Sequence, residues 1–232
     1  MDHLVEIKDV ARRFRQTWVL SRINLTINRG ESVALFGNNG SGKSTLLKMI
    51  ATLLAPTTGT IKVAGLDTRK GKRKIRERIR YLAHEKQLYE PLTAMENLRL
   101  IAGLRGWGRP GTSDQGLVTK DQKLKEILER VGIDRFRNHK VEELSEGTRK
   151  RLMLAKLLVG TADLILLDEP HPTLDIRGKE ILNDMIRQWR KEGKTIVLAG
   201  HDHEQALSQA DRLIILKDGT IDYDGAAGPP AK

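Results

Sequence analysis

The stretch GNNGSGKST, residues 37–45, decides the fold of this 232-residue chain. It matches the pattern G-x-x-x-x-G-K-[ST], with Lys43 and Ser44 as its last two positions. The glycines allow a tight turn in which successive backbone N–H groups point at phosphate oxygens, and the following helix presents its N-terminus to the same anion. Lys43 would reach the terminal phosphates, and the Ser44 hydroxyl would ligate Mg²⁺. The predicted nucleotide site therefore comprises Gly37, Asn38, Asn39, Gly40, Ser41, Gly42, Lys43, Ser44 and Thr45.

The segments around this loop predict an α/β fold. SVALF (32–36) is an apolar strand before the loop, and KSTLLKMIATLL (43–54) carries apolar residues at helical spacing after it. DLILLDEP (163–170) and KTIVLAG (194–200) are apolar runs typical of strands buried on both faces. Together they indicate a sheet whose strands alternate with helices.

Further strands and a long helical region complete the pattern. Residues 93–160 are expected to be mostly helical, interrupted by a loop at 105–116 that is rich in glycine and polar residues. Asp218 and Gly219 stand between two strand-like runs, which predicts a β-hairpin. The other strand candidates are LVEIKDV (4–10), INLTI (23–27), TIKVAG (60–65) and IRYLA (79–83).

Two acidic residues end the apolar run LILLDEP (164–170). A buried strand that ends in Asp168 delivers its carboxylate to the C-terminal edge of the sheet, where ligands bind in open α/β folds. We expect Asp168 to hold Mg²⁺ through water, because Mg²⁺ keeps part of its hydration shell. Glu169 follows and can polarise the water that attacks the γ-phosphate. Adjacent acids can also cap a helix, but the four apolar residues before them favour a strand.

The composition is that of a soluble globular protein, with 39% apolar and 31% charged residues. The chain has no cysteine, so neither a disulfide nor a thiolate metal site or nucleophile is available. No apolar run approaches the ~18 residues of a membrane span, and MDHLVEIKDV (1–10) is not a signal peptide. We therefore expect a chain that does not cross a membrane by itself.

The formal net charge of +11 predicts an anionic neighbour such as a nucleotide, nucleic acid or lipid headgroups. Much of this charge lies in RKGKRKIRERIR (69–80), which has eight basic residues against Glu77 alone. We interpret this run as a solvated face on a connecting segment in preference to a binding patch. Few aromatic residues interleave with the charges, which disfavours a stacking surface for single-stranded nucleic acid.

A third motif, LSEGTRKR (144–151), resembles the LSGGQ signature of ATP-binding cassette (ABC) ATPases and lies 24 residues before Asp168. The order of the other motifs matches as well, with TLD at 173–175 and GHD at 200–202. The resemblance covers nearly the whole chain, which is identified as similar to an ABC transporter nucleotide-binding subunit. It implies a P-loop NTPase core with a mixed sheet, N-terminal antiparallel strands and a helical subdomain.

The same resemblance implies a site shared between two chains. Ser145 and Gly147 would contact the γ-phosphate of ATP held by another subunit, with the positive helix end behind them. Without the neighbouring motifs, a serine and a glycine would indicate only an ordinary helix cap. Because one chain carries one phosphate loop and one signature, a complete site needs a head-to-tail homodimer, and Asp175 would lie at that interface.

Other residues also take their roles from the resemblance. His201 matches the switch histidine that senses or stabilises the γ-phosphate, and Phe14 occupies the aromatic position that stacks on adenine. Trp18 is the alternative adenine platform, and Phe14 could instead be a core residue. The signature departs from the family pattern at Glu146, which replaces a glycine, and at Thr148, which replaces a glutamine. We expect the γ-phosphate contact to survive both changes.

The segment YLAHEKQLYEPLTAMENL (81–98) places His84 where the family usually keeps a glutamine that joins the ATP site to the membrane partner. Gln87 lies three residues too late to serve, so we count His84 among the catalytic residues. His84, LTAMENL (92–98) and the short C-terminus make the chain similar to the ATPase subunit of heme exporters used in cytochrome c maturation. The alternative is an exporter of drugs, lipids or polysaccharides.

The resemblance implies hydrolysis of ATP with Mg²⁺ on the cytoplasmic face of the cell membrane, coupled to transmembrane permease subunits and without a nucleic acid partner. DNA-repair and chromosome ATPases share the motifs but insert long coiled coils, and no sustained heptads appear between 45 and 164. Translation-factor ATPases of the superfamily carry two cassettes. We expect one nucleotide-binding domain over 1–232, with the core at about 1–83 and 161–225, the helical subdomain at 84–160 and a loose tail at 226–232.

Overall fold

The computed structural model describes residues 2–83, 88–107, 120–170, 174–200 and 209–227. The chain separates into two compact units. The first comprises Met1–Ala83, Ala162–Pro170 and Ile186–Lys232, and the second comprises His84–Thr161 and His171–Met185. The sequence analysis expected the core at about 1–83 and 161–225, whereas the structure groups His171–Met185 with the second unit.

The first unit contains two sheets. The N-terminal sheet is antiparallel, has the order β2-β1-β4-β5, and consists of β1 (His3–Phe14), β2 (Thr17–Asn28), β4 (Thr58–Val63) and β5 (Leu66–Asp67). The second sheet has the order β10-β9-β3-β8-β7-β6 and consists of β3 (Ser32–Phe36), β6 (Ile79–Leu82), β7 (Leu164–Asp168), β8 (Thr195–Ala199), β9 (Arg212–Lys217) and β10 (Thr220–Ala226). Its strands are parallel except β10, which pairs antiparallel with β9. The predicted mixed sheet and N-terminal antiparallel strands are confirmed.

The β9–β10 hairpin turns at Asp218 and Gly219, as the sequence predicted. Both residues have positive φ, 48° and 76°, as the tight turn between two twisted strands requires. Strand β10 continues to Ala226, the first residue of the predicted tail, and residues 228–232 lie outside the described part of the chain.

Helix α1 (Lys43–Ile50) packs within the core of the first unit. Its buried residues share that core with apolar side chains from both sheets. The predicted helix extended to residue 54, but α1 ends at Ile50, and Thr52 adopts a left-handed conformation with φ 64°. A residue in that conformation stops a helix at its C-terminus. The phosphate loop lies between the end of β3 and the start of α1, beside the end of β7, where Asp168 binds Ser44.

Helix α2 (Lys72–Arg78) contains five of the eight basic residues of the run at 69–80, and four arginines of that run donate side-chain hydrogen bonds within the first unit. The guanidinium groups bind carbonyl oxygens, a hydroxyl and a carboxylate, through the contacts Arg69–Pro56, Arg76–Thr52, Arg78–Asp163 and Arg80–Ile79. Arg80 is buried, and burial lowers its pKa to about 10. The interpretation of this run as a solvated face is therefore wrong for Arg80, whereas Arg69 and Arg76 are exposed while they make these contacts.

The second unit is helical. It contains α3 (Ala94–Leu104), α4 (Lys120–Arg130), α5 (Glu146–Leu158) and the start of α6 (Ile176–Lys191), and α3, α4 and α5 contact one another. Thr93 and Glu96 form a reciprocal cap at the start of α3. Of the predicted loop at 105–116, residues 108–116 lie outside the described part. Among the described helices, none combines the length and the apolar character that a membrane span needs.

Candidate functional site

The phosphate loop joins β3 to α1, and its backbone requires glycine. Gly37 and Gly42 have φ of 151° and 104°. A Cβ at Gly37 would lie 2.3 Å from the carbonyl oxygen of Leu216, and one at Gly42 would lie 2.5 Å from Cδ2 of Leu20. Because both neighbours are packed in the core, a side chain at either position would push the loop away from the sheet.

The ammonium group of Lys43 lies inside this loop. Its side chain is buried, and Nζ donates to the carbonyl oxygens of Gly37 at 2.7 Å and Asn38 at 3.2 Å. Nζ also lies 3.8 Å from Oε1 of Glu169. The loop thus surrounds one fixed cation, which is the arrangement that a polyphosphate chain requires.

Three observations show that the loop fits an anion. Ser41 is buried, and its Oγ has no hydrogen-bond partner among the described residues. Gly42 caps α1 without a side-chain hydrogen bond, and the first turn of α1 carries no acidic residue. The first N–H groups of a helix have no partner within the helix, so the start of α1 offers donors and a positive partial charge. Asn38, Asn39 and Gly40 are exposed.

The carboxylate of Asp168 is buried at the end of β7 and is held on both oxygens. Oδ1 accepts from the Ser44 hydroxyl at 2.9 Å, and Oδ2 accepts from the Tyr81 hydroxyl at 2.9 Å. The sequence analysis did not single out Tyr81. Tyr81 pairs with Leu166 and thus shares a sheet face with Asp168, two residues farther along β7, and the sequence alone carries no signal of this register.

Ser44 and Asp168 fit a magnesium site completed by phosphates and water. Both present oxygen atoms, the ligand type that Mg²⁺ prefers. The described residues contain no group of three or more His, Cys, Asp or Glu that could hold a metal ion. Mg²⁺ in nucleotide sites is bound by one or two protein groups together with substrate phosphates, so this sparse donor set matches that mode of binding.

Glu169 leaves the strand in an uncommon backbone conformation. Its φ is 48°, and its N–H donates to the carbonyl oxygen of Ala199 at 2.9 Å. A non-glycine residue with positive φ is uncommon, and such residues cluster at functional sites. The bond to β8 holds the backbone while the carboxylate, partly exposed, faces Lys43. The arrangement can present a carboxylate to a water molecule near a bound phosphate.

Both aromatic candidates for the adenine platform are exposed near the β1–β2 turn. Phe14 is 42% exposed and Trp18 is 51% exposed. The guanidinium of Arg12 lies over the Phe14 ring at 4.4 Å, and that of Arg13 lies over the Trp18 ring at 5.4 Å. Each ring therefore has one face covered by a cation. Thr45, the last residue of the loop motif, is half-buried in the first turn of α1.

The signature residues belong to the second unit. Ser145 is the N-cap of α5, and its Oγ accepts from the Thr148 N–H at 3.3 Å. A Cβ at Gly147 would lie 3.1 Å from Oδ2 of Asp175. Asp175 in turn accepts the Gly178 N–H at 2.7 Å, so it caps the start of α6. Ser145, Gly147 and Asp175 thus form one local cluster.

The two predicted catalytic histidines, His84 and His201, lie outside the described residues. The structure therefore assigns no contact to either side chain. The residues brought together in the first unit are Lys43, Ser44, Asp168 and Glu169.

The comparisons with known proteins agree with this geometry. The family model described as "ABC transporter" matches residues 20–172. The chain is 34% identical to the ABC transporter ATP-binding protein NatA of Bacillus subtilis (strain 168), over 96% of this chain and 89% of that protein. It is 33% identical to the lipoprotein-releasing system ATP-binding protein LolD of Shewanella frigidimarina, over 97% of this chain and 95% of that protein.

Among solved structures, the chain is similar to a dimeric ATP-binding cassette in a post-hydrolysis state bound to ADP and Pi. The TM-score is 0.84 at 29% identity, over 97% of this chain and 99% of that chain. A buried loop lysine, a strand-end carboxylate and this full-length similarity converge on one conclusion. The chain belongs to the ABC transporter family and is an ATP-hydrolysing cassette.

Proposed function

We propose that the first unit binds Mg²⁺–ATP and hydrolyses it to drive transport through a separate membrane permease. The observation that carries this proposal is the convergence of Lys43 and Ser44, at the start of α1, with Asp168 and Glu169, at the end of β7. Ligands of open α/β sheets bind at this edge. The loop residues 37–45 would hold the phosphates through their N–H groups.

Each charged group has a distinct role in this proposal. Lys43 neutralises the terminal phosphates, and Ser44 with Asp168 holds Mg²⁺, which supplies charge stabilisation at the phosphates when bound. Glu169 orients the attacking water and accepts its proton on a carboxylate oxygen. Glu169 lies within ion-pair distance of Lys43, and phosphate binding at Lys43 would leave the carboxylate available to water.

The complete site is proposed to form between two copies of the chain, arranged head to tail. In the second copy, Ser145 and Gly147 would then contact the γ-phosphate, and Asp175 would lie at the interface. His201 and His84 would contact the γ-phosphate region. Support comes from the similar cassette described as a dimer bound to ADP and Pi. The start of α5 also points in this direction, since a helix N-terminus with a serine cap binds anions.

The proposed partner is a transmembrane permease, which would hold the cassette on the cytoplasmic face of the membrane and select the cargo. The relatives named as an ABC transporter ATP-binding protein and as part of a lipoprotein-releasing system support such an assembly. A DNA-repair role receives no such support from them.

Heme export for cytochrome c maturation is our proposal for the cargo, carried by His84 at the usual glutamine position. The two relatives described above are named for other systems, so their similarity supports transport in general. The test is to purify the cassette with its permease in lipid and measure ATP hydrolysis with and without heme. Stimulation by a drug, lipid or polysaccharide in place of heme would assign a different cargo.

The test of the ATPase proposal is the substitution Glu169→Gln. We expect ATP binding to persist, turnover to fall by about 100-fold or more, and an ATP-bound dimer to accumulate. Binding is measured by titration, turnover by phosphate release, and the dimer by size-exclusion chromatography. Glu192→Gln, at an exposed position of the first unit, is the matched control and should hydrolyse ATP normally. Near wild-type turnover in Glu169→Gln would show that Glu169 is misassigned.

A further inference from the structure

We propose that Tyr81 is a positioning residue of the magnesium site, whose hydroxyl fixes the orientation of the Asp168 carboxylate. The inference rests on the proposed Mg²⁺–ATP site and adds a residue to which the sequence analysis gave no role. Tyr81 lies on β6, the edge strand of the parallel sheet, and its hydroxyl donates to Oδ2 of Asp168 at 2.9 Å.

The sheet register places this hydroxyl. Tyr81 pairs with Leu166 on β7, and Leu166 and Asp168 point to the same face because they are two residues apart. Asp168 is thus the diagonal neighbour of Tyr81 across the two strands, within reach of a long aromatic side chain. The Tyr81 ring packs against the apolar core of the first unit, so the ring is held while its polar end points at the carboxylate.

The contact fixes a torsion that would otherwise be soft. An aspartate carboxylate rotates about a broad terminal torsion, and nothing in its covalent structure selects which oxygen faces the metal. Here Ser44 binds Oδ1 and Tyr81 binds Oδ2, so the two hydroxyl groups hold the plane of the carboxylate between them. Without the Tyr81 hydroxyl, Oδ2 would lose a donor in a buried position, and the carboxylate would turn to find another partner.

Removing the Tyr81 hydroxyl should change nucleotide binding only when Mg²⁺ is present. Groups that orient a metal ligand typically change metal affinity by 10-fold to 100-fold when removed. The phosphate loop would bind nucleotide through Lys43 and backbone N–H groups, whereas the Tyr81 hydroxyl binds Asp168. Tyr81→Phe, which keeps the ring and its packing, should therefore weaken the contribution of Mg²⁺ to nucleotide binding while leaving metal-free binding unchanged.

The experiment measures the affinity for mant-AMPPNP by fluorescence, in EDTA and across a Mg²⁺ titration. For Tyr81→Phe we expect the half-maximal Mg²⁺ concentration to rise by about 10-fold and the affinity in EDTA to stay at the wild-type value. Tyr223→Phe is the matched control, because it removes a hydroxyl from an exposed tyrosine of the same unit, bonded only to a backbone carbonyl in the described structure. It should leave both values unchanged.

The outcomes separate the two proposals. If the nucleotide affinity of the wild type does not change with Mg²⁺ concentration, the proposed Mg²⁺–ATP site itself is refuted. A normal response in wild type with an unchanged Mg²⁺ midpoint in Tyr81→Phe would refute the role of Tyr81. Equal loss of affinity with and without Mg²⁺ would also refute it, because such a loss indicates general damage to the site.

A double mutant tests whether Tyr81 acts through Asp168. If it does, adding Tyr81→Phe to Asp168→Asn should raise the Mg²⁺ midpoint by less than about 2-fold beyond Asp168→Asn alone, because the orientation of a missing carboxylate has no further effect. A further 10-fold increase in the double mutant would show that Tyr81 acts by another route and would overturn the proposal.

Discussion

Replacing the buried lysine of the signature helix by methionine should stabilise the protein at neutral pH. Lys156 lies on α5 and is 8% exposed. Burial lowers its pKa from 10.5 to about 8, with a smaller contribution from the positive charge of Arg105. The folded protein therefore keeps this ammonium charged at a cost that the unfolded chain does not bear.

The size and pH range of the effect follow from the pKa. One pKa unit corresponds to about 1.4 kcal/mol, so the cost of charged Lys156 is about 3 kcal/mol at pH 7. Between pH ~8 and ~10.5 the unfolded state binds more protons than the folded state, and the free energy of unfolding of the wild type rises with pH. Methionine carries no proton, so the advantage of Lys156→Met is largest below pH ~8 and falls to about 1 kcal/mol near pH ~10.

The assay is urea denaturation of wild type and Lys156→Met at pH ~7 and ~10, compared as differences in the free energy of unfolding. Lys179→Met, at an exposed position of α6, is the matched control and should change stability by less than about 0.5 kcal/mol at both pH values. The reasoning is refuted if Lys156→Met is no more stable than wild type at pH ~7, or if its advantage is the same at both pH values.

Three further predictions concern nucleotide binding and catalysis. Lys43→Ala should weaken ATP binding by about 10-fold or more in a titration, because it removes the cation inside the loop; unchanged affinity would contradict the phosphate-site assignment. Phe14→Ala should weaken ATP binding by about 5-fold to 10-fold and Trp18→Ala should not, as measured by the same titration, because only one ring stacks on adenine; the reverse result would assign the platform to Trp18. His84→Gln should stay active and lose part of the wild-type decline in ATPase rate below pH ~6.5, and superimposable pH–rate profiles would reject a catalytic histidine.

Much of the fold followed from local sequence patterns. The phosphate loop was predictable because its glycines and lysine are needed at fixed spacing, and the backbone angles at Gly37 and Gly42 show why. The buried strands were predictable because SVALF and LILLD are apolar on both faces, as the structure confirms. The hairpin at Asp218 and Gly219 followed from two residues that tolerate positive φ. In each case a few consecutive residues contain the whole physical cause.

The features that sequence analysis missed depend on contacts between distant segments. The contact of Tyr81 with Asp168 depends on the register of β6 against β7, which no local pattern in either strand specifies. The basic run was read as solvated because charge alone gives no information on partners, yet Arg78 binds Asp163, 85 residues away. The early end of α1 depends on the left-handed conformation of Thr52, whose hydroxyl and carbonyl bind Arg76. Long-range partners of this kind require the folded structure.

In the proposed dimer, the residue that caps α5 would also contact phosphate. Ser145 caps the helix through its oxygen, and if Thr148 supplies the proton of the hydroxyl pair, the Ser145 hydrogen remains available to a phosphate. Glu146 replaces the usual glycine and places a carboxylate at the positive end of the helix, where it competes with an anion. It pairs with Lys150 at 3.0 Å, which offsets part of that charge. Because an exposed ion pair contributes only about 0.2–1 kcal/mol, this pairing can open, and Glu146 should reduce phosphate affinity without removing the Ser145 and Gly147 contacts.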